Sequence, residues 1–290
     1  MTHSIGSERL KIYFSEPGHM YAEQRFDWNG FVTQVILDGE HSFCAYEETT
    51  PAKGTGGIGL CNAFMGITEG NYDVTPVGGQ YVSVGVGKVT RTSDKPYSFF
   101  EFLPVEPFGS KVTVSGNRAL FEQEGSECNG IAYRMKKELS AESNRLHIKT
   151  RLENTGKKPI RTTEFNHNFL CLGGHALGPD YRLSLPYTPK IEVNSGEFEI
   201  GESCLSLKAR QEKGAFYCFV RNFAEAAAHK WTLTHLPSGL TVSETGDFKV
   251  EAFNLWGKAH VISPEVFVRL DIAPGSSFEW TREWEFGVRK

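Results

Sequence analysis

Glu164-Phe165-Asn166-His167-Asn168-Phe169-Leu170 alternates with period two and sets one imidazole among aromatic rings. Successive side chains of a strand point to opposite faces. Phe165, His167 and Phe169 therefore share one face, and Glu164, Asn166 and Asn168 share the other. A histidine on such a face is either a hydrogen-bonded core residue or a proton donor in an aromatic-lined pocket. Near the C-terminus, Val261-Ile262-Ser263-Pro264-Glu265-Val266-Phe267 reads as a second apolar strand that aims a carboxylate from its end.

Working outward from these segments, most of the chain reads as short strands punctuated by turn residues. Gly30 to Gly39 is an early strand ending at Asp38-Gly39, a turn dipeptide. Arg145 to Glu153 alternates, with Leu146, Ile148 and Leu152 inward and His147 outward beside Lys149 and Arg151. Phe278 to Phe286 places its aromatics on one face and Glu279, Glu283 and Glu285 on the other, as an antiparallel strand with one wet face should. No amphipathic helix of ten or more residues is evident. The alanine-rich run Phe223 to Lys230 favours helix but is short. With no internal repeat and no linker-like run, residues 1–290 predict a single all-β domain, a large antiparallel β-sandwich.

Composition narrows the function classes. Apolar content of 39% with 23% charged residues is ordinary for a soluble globular protein. The 21 phenylalanines and 30 glycines agree with short strands and tight turns. A formal charge of −4 offers no basic footprint for nucleic acid and no basic stripe for an anionic membrane. Cys44, Cys61, Cys128, Cys171, Cys204 and Cys218 are widely spaced, and Cys44, Cys171 and Cys218 sit in apolar runs where free cysteine acts as a small hydrophobe. The N-terminus lacks the apolar segment of a signal peptide, so a reduced, cytoplasmic protein is expected, as a monomer or homodimer. Residues 54–64 are glycine-rich, but neither phosphate-loop spacing is present, and no Gly-x-Ser-x-Gly elbow occurs.

The Asn166-His167 pair followed by Phe169, Glu265 in Ser-Pro-Glu, and the closing Pro274-Gly275 turn with its final strand resemble the aldose 1-epimerase (galactose mutarotase-like) superfamily. The resemblance spans most of the chain by order and spacing. It implies the large sandwich of that superfamily, a small-molecule sugar substrate, and His167 and Glu265 as the catalytic pair. The family's arginine segment matches here only at Asn62, because Gly59 and Leu60 stand where the arginine would be. Its upstream histidine is also missing. The corresponding stretch Ser83 to Val89 ends near Lys88, which either donates to a sugar or is a solvated lysine at a strand end.

Interconverting anomers requires opening a hemiacetal ring and closing it on the other face of the carbonyl. A proton must reach the ring oxygen while another leaves the C1 hydroxyl, which one acid and one base can manage without metal or cofactor. Imidazole titrates near neutrality and suits the acid; a partly desolvated glutamate suits the base. The expected arrangement has His167 and Glu265 straddling one pyranose ring. Trp256 would suit sugar stacking or simply fill the core, and His175 falls in a turn that can reach a pocket rim. A Glu164/His167/His175 metal set is disfavoured, since Glu164 lies on the opposite face from His167. The rival reading is a non-catalytic carbohydrate-binding protein on the same fold, and a paired-carboxylate glycosidase stays open because carboxylate separation cannot be read without a fold.

Overall fold

The final strand, Ser277–Val288, buries Trp280, Trp284 and Phe286 and turns Glu279, Glu283 and Glu285 outward, as its alternation predicts. The outward carboxylates meet Lys149, His147 and Arg145 on the adjacent strand Arg145–Asn154. Such exposed pairs are worth at most about 1 kcal/mol each, so the buried aromatics carry the stability of this strand. The structure is a computed structural model and describes residues 1–49, 54–223 and 229–289.

Among the described residues all pairings between named strands are antiparallel, and they form two ten-stranded sheets and one of three strands. The first large sheet runs, in spatial order, Thr2–Gly6, Leu10–Ser15, Val32–Leu37, Leu60–Phe64, Ile160–Asn168, Val261–Ile272, Val250–Lys258, Phe216–Arg221 and Lys190–Ser195, with His41–Ser42 paired to Val32–Leu37. The second contains Ser277–Val288 flanked by Arg145–Asn154 and Leu240–Gly246. The small sheet is Gln80–Ser83, Gly87–Thr90 and Val105–Pro107. The early strand ends where Asp38 and Gly39 adopt positive φ of 52° and 79°, the conformation its turn dipeptide favours. The alanine-rich run at 224–228 lies outside the described residues, and His229 and Lys230 open the strand His229–His235.

The main core lies between the large sheets, where Phe43 meets Phe286 edge-on at 4.9 Å and Trp231 and Trp284 are fully buried. Each such side chain contributes about 1.5–3 kcal/mol by leaving water. All six cysteines are free thiols; Cys44, Cys171 and Cys218 are buried, which fits their reading as small hydrophobes, and Cys61 is buried with them. No helix among the described residues is long and apolar enough to cross a membrane.

The inner faces also hold a layer of charge that the sequence reading did not anticipate. Arg282 shares its parity with Trp280 and Trp284, and it is buried between Glu164 and Glu244, each 2.7 Å away. Glu244 also accepts from Trp231 Nε1 at 3.1 Å and from Asn166 Nδ2. Beside them, Lys137 is buried against Asp27 at 2.6 Å and reaches Asn62 Oδ1 at 3.3 Å. Burial pushes the Glu244 carboxyl up, but Arg282 and His229 outweigh it and hold it below the usual carboxylate range.

Candidate active site

Cross-strand register brings the two sequence-distant residues together. The histidine strand Ile160–Asn168 pairs Phe165 with Phe267 of the glutamate strand Val261–Ile272, and just beyond it Leu170 pairs with Ile262. Both pairings belong to one register, which sets His167 directly opposite Glu265. The next strands continue the row. Glu265 lies opposite Asn254, and Asn254 lies opposite Phe219; alongside, Ser263, Trp256 and Tyr217 form a second row. Directly opposed residues share a face of the sheet, so these side chains gather on the face turned away from the sandwich interior.

His167 Nε2 and Glu265 Oε1 are 3.0 Å apart. The imidazole stacks on Phe169 with centroids 4.4 Å apart, and Phe26 and Trp256 meet it edge-on at 5.7 and 5.3 Å. Its Nδ1 lies 3.3 Å from Ser263 Oγ. A hydroxyl can donate to a neutral ring or accept from an imidazolium, so this partner tolerates either protonation state. The pair is nearly closed to solvent, with His167 3% and Glu265 5% exposed. The expectation of a pyranose held between the two groups is therefore corrected: as cross-strand neighbours in contact, they leave no gap for a ring. Glu265 also sits well inside its strand and not at the end.

A proline inside a central strand needs explaining, because it cannot donate to the ladder. Leu170 and Ile262 exchange both backbone hydrogen bonds, so the next bonding positions toward Phe165 are Asn168 with Pro264 and Asn166 with Val266. Side chains take over there. Asn168 Nδ2 donates to the Pro264 carbonyl at 3.0 Å, the Val266 N–H donates to Asn166 Oδ1 at 3.0 Å, and Arg282 donates to the Val266 carbonyl at 2.9 Å. The ladder is thus bridged from the inner face on both sides of His167 and Glu265. The glycine-rich segment serves the same site. A Cβ at Gly57 would come within 2.2 Å of the Phe169 ring, and one at Gly59 (φ 65°) within 2.1 Å of the Val32 carbonyl. Those glycines let a loop lie flat over the rings that enclose the imidazole.

Of the residues proposed from sequence, Trp256 joins the pair, while Asn62, Lys88 and His175 do not. Asn62 lies opposite Asn166 with inward parity and gives its amide to Glu164 at 2.6 Å. Lys88 faces Glu106 at 3.7 Å on the small sheet. His175 stacks on His235 with centroids 4.0 Å apart. Glu164, His167 and His175 are accordingly held by three different sets of neighbours. Asn254, Tyr217 and Ser263 were missed. Asn254 Oδ1 is buried beside Glu265 without a partner among the described residues. Burial, and after it the charge of Glu265, pushes the Tyr217 phenol up to about 12. Only the alternation of Asn254 with Trp256, and of Ser263 with Glu265, could have signalled their shared face.

No family model matches the chain, and no curated protein matches it by sequence. Solved structures do share its fold. A galactose mutarotase related enzyme from Lactobacillus acidophilus superposes with a TM-score of 0.64 at 11% identity, covering 100% of both chains. A galactose mutarotase-like protein from Lactobacillus casei gives 0.60 at 14% identity over 99% of this chain and 100% of that one. An aldose epimerase homologue from C. elegans gives 0.59 at 11% identity over 100% of both. The architecture is a galactose mutarotase-like β-sandwich. At these identities the likeness defines the fold and not the activity.

Proposed function

We propose that the protein is a carbohydrate-active enzyme of the aldose 1-epimerase kind, with His167 as general acid and Glu265 as general base. The observation that carries this reading is the 3.0 Å contact between His167 Nε2 and Glu265 on a face that also presents Trp256. Ring and hydroxyl oxygens of a hemiacetal are both bonded to C1, one atom apart. Two touching groups can therefore serve both oxygens if the sugar approaches edge-on and the side chains part to admit it. Imidazolium gives its proton to the ring oxygen, the carboxylate takes the proton of the C1 hydroxyl, and the C1 to ring-oxygen bond breaks to leave the open-chain aldehyde. After rotation about the C1–C2 bond, the reverse transfers close the ring on the other face. Direct contact also lets a proton left on Glu265 return to His167 without water. Each group contributes about 10²–10⁴-fold.

One observation favours the alternative of a non-catalytic sugar-binding protein. Both members of the pair are almost closed to solvent, as a buried structural pair would be. Anomer exchange measured by saturation-transfer NMR across a sugar panel separates the two. Acceleration that disappears in Glu265→Gln supports the enzyme; saturable binding without acceleration supports the binding protein.

A further inference from the structure

Next to the candidate site, a cavity of about 240 Å³ has Tyr72, Tyr97, Phe99 and Phe165 among its walls. Phe165 belongs to it and also meets the His167 ring, 6.2 Å between centroids, so the cavity and the pair share a wall. Its polar groups include Arg25, Asn71 and Asp73. Small-molecule sites characteristically combine apolar walls with a few placed polar groups. The adjoining segment also leaves apolar rings uncovered at the surface, with Phe100 73% and Phe102 51% exposed.

Arg25 is the group that gives this cavity its chemistry. Its guanidinium is stacked between Phe26 and Phe99, 4.9 and 4.7 Å from their centroids. Nη1 donates to Thr55 Oγ1 at 2.7 Å, and that hydroxyl in turn donates to Glu47 Oε2 at 2.6 Å. The plane is thereby fixed. Nη2 donates to no group among the described residues, the buried Nε has no partner among them either, and no carboxylate among them lies within ion-pair distance of Arg25. A held, half-desolvated guanidinium with a donor to spare favours an oxyanion over a neutral hydroxyl, since charge-assisted hydrogen bonds are about twice as strong. Asp73, the other charged wall residue, is exposed and suits hydroxyl donors, which orients an anionic group toward Arg25.

We infer that this cavity is an anion-recognising subsite that takes a monosaccharide bearing a phosphate or carboxylate group. The inference rests on the carbohydrate reading above for the sugar, and on Arg25 for the charge. Calorimetric titration of the full chain with glucose 6-phosphate, glucuronate, glucose and inorganic phosphate tests it. Both sugar acids should bind at least about tenfold more tightly than glucose and than inorganic phosphate. Arg25→Gln should erase that preference, Arg25→Lys should keep part of it, and His167→Asn should leave it intact. Equal affinity for glucose and its acids, inorganic phosphate binding as tightly as glucose 6-phosphate, no saturable binding of either acid, or a preference unchanged in Arg25→Gln would each overturn the inference. If Arg25→Gln lowers Tm, the wild-type comparison decides alone. A wild-type chain that binds both acids but accelerates no anomer exchange counts against the epimerase reading only.

Discussion

Both ring nitrogens of His167 have a defined neighbour, Ser263 Oγ at Nδ1 and Glu265 Oε1 at Nε2, inside a wall of Phe26, Phe169 and Trp256. Residues this enclosed respond to small changes. Glu265→Gln keeps shape and one accepting oxygen but removes basicity, so anomer exchange should be lost while sugar affinity stays within about tenfold, or 1.4 kcal/mol. His167→Asn should cut exchange by at least about 10²-fold in the folded variant, and the space left among the rings should lower Tm as well. Ordinary exchange in His167→Asn would reduce the imidazole to a core group. The sequence made His167, Glu265 and Trp256 legible as candidates because each stands out on its own strand. It could not reveal their contact, which depends on a register between strands nearly a hundred residues apart.

At the scale of elements, the junction between the histidine and glutamate strands is built around Pro264. Proline brings no donor and interrupts the regular ladder there; Asn168 Nδ2 reaches the Pro264 carbonyl from the side, and Asn166 and Arg282 serve Val266. Asn168→Leu keeps the volume but strands the buried Pro264 carbonyl, so a loss of about 1–3 kcal/mol is expected in denaturant melts. Exchange should fall with it, because the carboxylate next in sequence loses its fixed backbone. An unchanged midpoint would mean that the amide does not hold this junction. Alternation separated Asn166 and Asn168 from His167, yet showed neither which face turns inward nor what these residues do. Asn166 and Asn168 read simply as the opposite face, and their role follows only once Pro264 is placed beside them.

For the whole molecule, the notable departure from a dry sandwich is the charged layer centred on Arg282. Its parity with Trp280 and Trp284 was readable; the register that sets Asn62 opposite Asn166 and the partners that make such burial tolerable were not. The family resemblance assigned Asn62 by order along the chain, and strand parity turned it inward instead. Breaking the layer from one side leaves an uncompensated charge, so Arg282→Met should cost about 3–5 kcal/mol. The pH response has a definite sign. Glu244 is held below its ordinary range in the folded state, so its contribution is complete above the unfolded carboxylate pKa and is lost as pH falls through the lower folded value. Stability should therefore drop on acidification below about pH 4.5, and Glu244→Gln should flatten that drop. A variant with the same acid profile as wild type would remove Glu244 from the explanation.

The central claim is that the touching pair moves protons on a sugar, and saturation-transfer NMR on the wild-type chain tests it most directly. Across a panel of neutral and anionic aldoses, at least one should show enzyme-dependent exchange between its α and β anomers, absent in both His167→Asn and Glu265→Gln. A panel in which sugars bind but no anomer exchanges faster than in buffer would contradict it.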